Sequence, residues 1–214
     1  IEQYPEKVTD FNQWYRFPPR EAAVQIAVDE WNIWNADDSE TYGLDARFNW
    51  RDAVWVAGAL NILLSNPHVG IANMAQMVNV IAPIVTQPEG SFFQTIAYPF
   101  LLYRENMAGE RLEVSHEPVM IDGGAAEPLD ALHFSALRGA DGTVRIAAVN
   151  RDFSAAHTIA VETACGQCGI TELTAPSWDS MCTLEACCVE KKEKTADPAH
   201  ITLAPGSVSL IVLK

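Results

Sequence analysis

The chain has 214 residues, of which 49% are apolar, and its 28 acidic residues outnumber 14 basic ones to leave a formal charge of −14 at pH 7. This charge argues against nucleic-acid backbones and anionic membranes as partners, because a protein that binds either needs a basic patch. No apolar run reaches the roughly 18–20 residues that cross a bilayer. The composition fits a globular protein that acts on a neutral ligand.

The first elements combine a strand with a helix. Residues 24–28 form a short β-branched run that predicts a buried strand, and the run ends in Asp29-Glu30-Trp31-Asn32. A loop rich in Asp, Ser and Gly follows at 35–49. Residues 50–64 then predict a well-buried helix that stops at Asn66-Pro67, with Trp50 and Trp55 expected in the core.

A second strand is predicted at 69–73 and a second helix at 92–105, so the order is strand, helix, strand, helix. This order is typical of a parallel α/β unit. A closed (β/α)₈ barrel takes about 250 residues, so two such units cannot close one. If residues 1–110 are barrel sequence, most of the barrel lies upstream of Ile1.

Residues 111–214 have a different pattern, because apolar side chains recur at every second position. Such runs occur near 132–136, 144–148, 159–161, 201–203 and 208–212, with hairpin turns predicted at 140–142 and 205–206. Several short strands at this spacing predict an antiparallel β-sandwich. The charged stretch 185–199 is expected to be a surface loop.

Five cysteines lie in the second part, at positions 165, 168, 182, 187 and 188. Because residues 1–5 lack the pattern of a secretory signal peptide, we expect a cytoplasmic chain with reduced thiols. The spacing of Cys165 and Cys168 also allows a zinc site that Cys182 and Cys187 would complete. Free cysteines are the favoured interpretation, and no metal or other cofactor is expected.

Glu30 is the first candidate for chemistry. A carboxylate at the carboxyl end of a buried parallel strand is where barrel enzymes keep catalytic groups. Trp31 and Trp34 add aromatic faces on which a sugar ring can stack. The position alone also allows a structural role, in which Glu30 pairs with an arginine.

Four collinear strings resemble the family 51 glycoside hydrolases, the α-L-arabinofuranosidases. Residues 28–34 (Val-Asp-Glu-Trp-Asn-Ile-Trp) resemble the nucleophile motif of that family, and residues 71–83 resemble the segment after its last barrel strand. Residues 93–100 and 148–152 add two further matches. The resemblance runs from about Val24 to the C-terminus, and it is patchy after Arg151.

The resemblance implies the end of a (β/α)₈ barrel, with its last two βα units in residues 1–110, followed by a β-sandwich of jelly-roll type in residues 111–214. It implies retaining hydrolysis with Glu30 as the nucleophile and Gln76 as a ligand of the arabinose ring. Trp34 would help to wall the site, although a scaffold role fits it equally well. The acid/base Glu of the family belongs to an Asn-Glu pair that this chain lacks.

We therefore expect the chain alone to be inactive, with an upstream catalytic half and an arabinose-containing oligosaccharide or polysaccharide as its partners. An exposed barrel edge would also favour a homo-oligomer. Two alternatives stay open. One is a related retaining glycosidase, such as a β-glucanase or xylosidase, because barrel glycosidases reuse one site for several sugars. The other is a non-catalytic sandwich module for carbohydrate binding or oligomerisation, for which Phe134, Phe153 and Trp178 are the aromatic candidates.

Overall fold

The structure is a computed structural model that describes residues 25–34, 45–122 and 127–214. These residues form two helices and fourteen strands. Val24, with which the first predicted strand begins, and most of the predicted loop at 35–49 lie outside the described residues. None of the helices described is long and apolar enough to cross a membrane.

The first part is built on two parallel strands. Strand β1 (Ile26–Trp31) pairs with β2 (Val69–Met74), and helix α1 (Trp50–Ser65) connects them. The strand extends past the predicted run, so Glu30 lies within it. The prediction that this strand is buried is wrong for the described residues, because Ala27 is exposed. Parallel strands are buried only when both faces are covered, and no described element covers this face.

Helix α1 confirms the predicted helix. Asn49 and Asp52 form a capping box at its start, with the Asp52 amide 3.2 Å from Asn49 Oδ1 and the Asn49 amide 2.9 Å from Asp52 Oδ2. The helix ends at Ser65, directly before the predicted stop at Asn66-Pro67. Trp50 is buried in the core, but Trp55 is 51% exposed, contrary to expectation. Trp55 lies on the face of α1 that no other described element covers.

The second predicted helix begins later than expected. Residues 84–93 form a hairpin of β3 (Ile84–Gln87) and β4 (Gly90–Phe93), and helix α2 covers only Ala97–Arg104. Gly90 in the tight turn has a φ of 158°, which favours glycine. The apolar run around Phe92 therefore belongs to a strand and not to the first turn of a helix.

The second part is dominated by a six-stranded antiparallel sheet with the order β12-β11-β14-β9-β8-β5. Its strands, in chain order, are β5 (Glu110–Leu112), β8 (Leu132–Arg138), β9 (Val144–Asn150), β11 (Cys168–Thr174), β12 (Glu190–Ala196) and β14 (Ser207–Leu213). Two small antiparallel pairs accompany it, β6 (Met120–Ile121) with β7 (Leu129–Asp130), and β10 (His157–Ile159) with β13 (Ile201–Leu203). The chain is mainly β, and this part matches a β-sandwich.

Strand β12 corrects the expectation of a surface loop at 185–199. Its residues pair in full register with β11, from Glu190 opposite Thr174 to Ala196 opposite Cys168. Its Lys and Glu side chains keep it exposed at the sheet edge. Charged edge strands discourage further strand pairing, which explains why a β element has the composition of a loop.

The central strands β9 and β14 are buried on both faces. One face packs against α1 and α2, where Trp50, Val149 and Leu210 meet. The opposite face packs against Ile201 and Leu203 of β13. Helix α1 of the first part thus forms one layer of the core of the second, and this packing fixes the position of β1 and β2.

Candidate functional site

Glu30 lies next to the carboxyl end of β1. The following residue, Trp31, is in register with Met74 of β2, and the Ala75 amide donates to the Trp31 carbonyl at 3.0 Å. The pairing is irregular between Val28 and Trp31. Glu30 is exposed in this chain, so its carboxylate is accessible to a ligand at this edge of the sheet.

Asn32 joins the ends of the two strands. Its Nδ2 donates to the carbonyl oxygens of Ala75 and Ile81, and its Oδ1 accepts from the Ile33 amide at 2.8 Å. Trp31 stacks on Phe100 of α2 with ring centroids 5.9 Å apart. Asn32 and Trp31 therefore have supporting roles, because their contacts fix the backbone next to Glu30.

Gln76 lies just beyond β2, at the same edge of the sheet as Glu30, and its side chain is exposed. The peptide bond between Ala75 and Gln76 is cis. The segment that follows turns sharply, with positive φ angles of 60° at Asn79 and 58° at Val80. Asn79 fixes this turn, because its Oδ1 accepts from the Thr86 amide at 2.8 Å and its Nδ2 donates to Thr86 Oγ1 at 2.8 Å.

Trp34 lies four residues after Glu30, and 59% of its surface is exposed. The structure thus brings Glu30, Trp34 and Gln76 to the end of the parallel pair where both strands terminate. Carboxyl ends of parallel strands are where α/β folds bind ligands. One carboxylate, one amide and one indole face can hold and attack a sugar ring, although proton transfer to a leaving group needs a second acid.

Gln94 and Thr95 support the loops below this edge, and motif reasoning gave them no role. Gln94 is buried; its Oε1 accepts from the Phe48 amide at 3.0 Å, and its Nε2 donates to the Ala82 carbonyl at 2.9 Å. Thr95 Oγ1 donates to the Phe48 carbonyl at 2.9 Å. In the sequence, the only signal for these two residues was their place in the matched string 93–100.

The cysteines are all free. Cys165 Sγ donates to the Lys214 carbonyl at 2.8 Å and Cys168 Sγ to the Ala196 carbonyl at 3.4 Å. Within the described part of the chain, no group of three or more His, Cys, Asp or Glu side chains could hold a metal ion. The described residues therefore do not assemble the four-thiolate site that the cysteine spacing allowed.

The aromatic candidates of the sandwich module do not form a row. Phe134 and Phe153 are partly buried in the two core clusters, whereas Trp178 is 48% exposed under the guanidinium of Arg51. One exposed indole does not provide the extended stacking platform that this alternative requires.

Sequence comparisons with known proteins point to one family. A family model described as the alpha-L-arabinofuranosidase C-terminal domain matches residues 29–198. A probable alpha-L-arabinofuranosidase C of Aspergillus flavus is 32% identical over 171 residues, which covers 75% of this chain and 34% of the relative. The chain thus spans about a third of the length of this curated relative.

Solved structures extend the similarity to the fold. A thermostable GH51 alpha-L-arabinofuranosidase from Thermotoga petrophila superposes with a TM-score of 0.76 at 27% identity, covering 89% of this chain and 43% of that one. The GH51 arabinofuranosidase from Xanthomonas axonopodis pv. citri gives a TM-score of 0.79 at 26% identity, with 89% and 41% coverage. With a family match over 29–198, the chain belongs to the α-L-arabinofuranosidase C-terminal domain family.

Proposed function

We propose that this chain is the C-terminal part of a retaining α-L-arabinofuranosidase and that Glu30 is its nucleophile. The observation that carries the proposal is the placement of Glu30 and Gln76 at the shared carboxyl edge of two parallel strands. Family membership supports the reaction class. The substrate would be an arabinose-containing oligosaccharide or polysaccharide.

In this proposal residues 1–110 are the last two βα units of a (β/α)₈ barrel, and residues 111–214 are a sandwich of jelly-roll type. The parallel pair with its connecting helix supports the first assignment. The six-stranded antiparallel sheet supports the second. The boundary near residue 110 coincides with the start of β5, the first strand of that sheet.

The reaction would proceed in two displacements. The ionised Glu30 carboxylate attacks the anomeric carbon as the glycosidic oxygen leaves with a proton from a second carboxylic acid, which gives a covalent glycosyl ester. The same second group, now a carboxylate, takes a proton from water, which attacks the anomeric carbon and releases Glu30. In retaining glycosidases the two carboxyl groups lie about 5–5.5 Å apart.

Gln76 and Trp34 would act on binding and not on bond formation. The Gln76 amide can donate to one sugar hydroxyl and accept from another, which orients the ring for attack. The indole of Trp34 offers an exposed face to a sugar ring. Their substitution is expected to weaken substrate binding more than loss of a proton-transfer group would.

The second carboxylic acid would come from an upstream half of the same enzyme. The first part of the chain exposes large apolar side chains that such a half would cover, including Trp55, Ile71 and Met77. The buried Trp31 Nε1 also has no hydrogen-bond acceptor among the residues described. A homo-oligomer is the other arrangement that would cover this surface.

The test is release of p-nitrophenol from its α-L-arabinofuranoside by this chain, by the upstream half and by both together. We expect no hydrolysis by the chain alone and hydrolysis by the mixture, and Glu30→Ala should abolish it. Asp29→Ala, which changes the exposed neighbouring carboxylate, is the matched control and should retain most activity. Absence of hydrolysis in every combination would contradict the proposal, whereas activity of the chain alone as an oligomer would exclude the upstream half as the source of the acid.

A further inference from the structure

The connection between β11 and β12, residues 175–189, holds the start of α1, and we name it the clasp loop. The Trp50 amide donates to the Ser180 carbonyl at 2.9 Å, and the Arg51 amide donates to the Trp178 carbonyl at 2.9 Å. Met181 forms an antiparallel bridge with Asn49, the N-cap of α1. A change in the clasp loop therefore acts directly on the helix that follows the proposed nucleophile strand.

Three of the five cysteines lie in the clasp loop. Cys182 is buried, with Cys187 Sγ at 3.8 Å and Cys188 Sγ at 3.4 Å from its own Sγ atom. The Thr183 amide donates to the Ala186 carbonyl at 2.8 Å, and this bond closes a tight turn that brings Cys182 and Cys187 together. The backbone is thus already folded into the arrangement that joins the two sulfurs.

We propose that Cys182 and Cys187 form a reversible disulfide when the chain meets a glutathione-type disulfide. The Sγ atoms must approach from 3.8 Å to about 2 Å, which side-chain rotation across a closed turn can supply. The cluster thus provides a redox modification site outside the proposed active site.

Accessibility selects Cys187 as the residue that reacts first. Cys187 is exposed, whereas Cys182 is buried and Cys188 is partly buried. Burial raises the pKa of Cys188 to about 12 and also raises the pKa of Cys182, so neither competes for the first step. The Val189 amide donates to Cys187 Sγ at 3.4 Å, and the Tyr98 hydroxyl lies 2.9 Å from it, so both groups hold this sulfur at the surface of the clasp loop.

The chemistry balances with one oxidant. The Cys187 thiolate attacks one sulfur of oxidised glutathione, the S–S bond breaks, and the released glutathione thiolate takes up the proton that Cys187 lost. Cys182 then gives up its proton and attacks Cys187 Sγ in the mixed disulfide, which releases a second glutathione. The Cys188 amide donates to Cys182 Sγ at 3.4 Å and supports its charge in that step. Two cysteine thiols are oxidised as one glutathione disulfide is reduced to two thiols.

The test uses the intact chain in a buffer of reduced and oxidised glutathione, quenched in acid and alkylated. A glutamate-specific protease cuts after Glu172, Glu185 and Glu190, so Cys182 falls in peptide 173–185 and the other two in 186–190. Before alkylation, we expect the intact mass to fall by two hydrogen atoms. After alkylation and digestion, we expect the two peptides to be linked and Cys188 to carry the alkyl group. Excess dithiothreitol should reverse the link.

Variants separate this pairing from its rivals. The link should be lost in Cys187→Ser and unchanged in Cys188→Ser and in Cys165→Ser, a cysteine outside the clasp loop. A link to Cys188 with Cys187 alkylated would overturn the proposal, as would a glutathione adduct on Cys187 that never resolves. Protection of all three thiols that a zinc chelator abolishes would also overturn it, in favour of a metal site. The wild-type peptide map alone decides the outcome if a variant fails to fold.

Discussion

We expect loss of the Asn61 side chain to lower the free energy of unfolding by a large amount for a side chain of its size. It is fully buried on α1 and makes four hydrogen bonds to three other elements. Its Nδ2 donates to the carbonyls of His133 at 3.1 Å and Ala147 at 3.3 Å, and its Oδ1 accepts from Tyr103 Oη at 3.0 Å and Ser135 Oγ at 2.9 Å. It therefore joins both helices to the neighbouring strands β8 and β9.

The Asn61→Ala substitution leaves the hydroxyls of Tyr103 and Ser135 buried without their acceptor. A stranded buried polar group costs about 1–3 kcal/mol, so we expect the free energy of unfolding to fall by about 3–5 kcal/mol. For a chain of this size that corresponds to a Tm lower by roughly 10 °C. Urea denaturation, followed by circular dichroism, measures the change.

A double-mutant cycle tests the mechanism. Ser135→Ala alone should cost about 1 kcal/mol, because Asn61 Oδ1 keeps the bond from Tyr103. The double variant should lose less stability than the sum of the two single variants, since the Ser135 hydroxyl is no longer stranded. Asn73→Ala, at an exposed asparagine of β2, is the matched control and should be nearly neutral. A loss of less than about 1 kcal/mol for Asn61→Ala would refute the reasoning.

Three further predictions concern the second part. Lys194→Ala should lower the free energy of unfolding by about 1–2 kcal/mol, because it leaves the buried Glu172 carboxylate without the ammonium group 2.9 Å away. Hydrogen bonds from Ser154 hold the pKa of Asp152 at about 2. The stabilising contribution of the Asp152 carboxylate should therefore be present above about pH 4 and lost as the pH falls towards 2. Urea denaturation at a series of pH values measures this loss. Gly206→Ala should lower Tm, because the residue has a φ of 52° and a Cβ would lie 2.3 Å from the Phe153 ring.

Each of these has a control within the chain. Lys191→Ala breaks an exposed ion pair and should be nearly neutral, so an equal loss for both lysine variants would contradict the first prediction. Asp152→Asn should flatten the pH dependence below pH 4, and an unchanged profile would argue against the second. Gly142 also has a positive φ, 79°, but space for a Cβ, so Gly142→Ala should cost less than Gly206→Ala.

The sequence predicted well those elements that have clear start and stop signals or a clear apolar pattern. The apolar stripe predicted the start of α1 at Trp50 and Asn66-Pro67 predicted its stop, and the structure confirms both ends. In strands β8, β9 and β14, apolar side chains occur at every second position or in a continuous run. These strands are neighbours in the interior of the sheet.

The elements that were missed depend on contacts distant in sequence. Strand β12 has the composition of a loop, and only its pairing with β11 makes it a strand. The hairpin at 84–93 was not predicted, and its last two residues were placed in the helix expected at 92–105. The bonds by which the buried Gln94 ties this hairpin to loops at 46–48 and 82 join segments that are distant in sequence. Trp55 was expected in the core because apolar composition does not reveal which face of a helix another element covers.

The candidate site was predicted only in part. The strand-end position of Glu30 and the matched string at Gln76 selected two residues that the fold places at one edge of the sheet. The supporting bonds of Asn32 could not be predicted, because its acceptors at Ala75 and Ile81 are more than forty residues away in the chain. The roles of Glu30, Trp34 and Gln76 in catalysis and binding stay predictions.

The identity of the nucleophile is tested most directly by trapping the glycosyl–enzyme ester. The chain, combined with the upstream half, is incubated with a 2-deoxy-2-fluoro-arabinofuranosyl substrate, whose slow second displacement lets the ester accumulate. After digestion, mass spectrometry should locate the fluorosugar on Glu30. A fluorosugar carried by another carboxylate, or an ester that still forms in Glu30→Gln, would contradict the assignment.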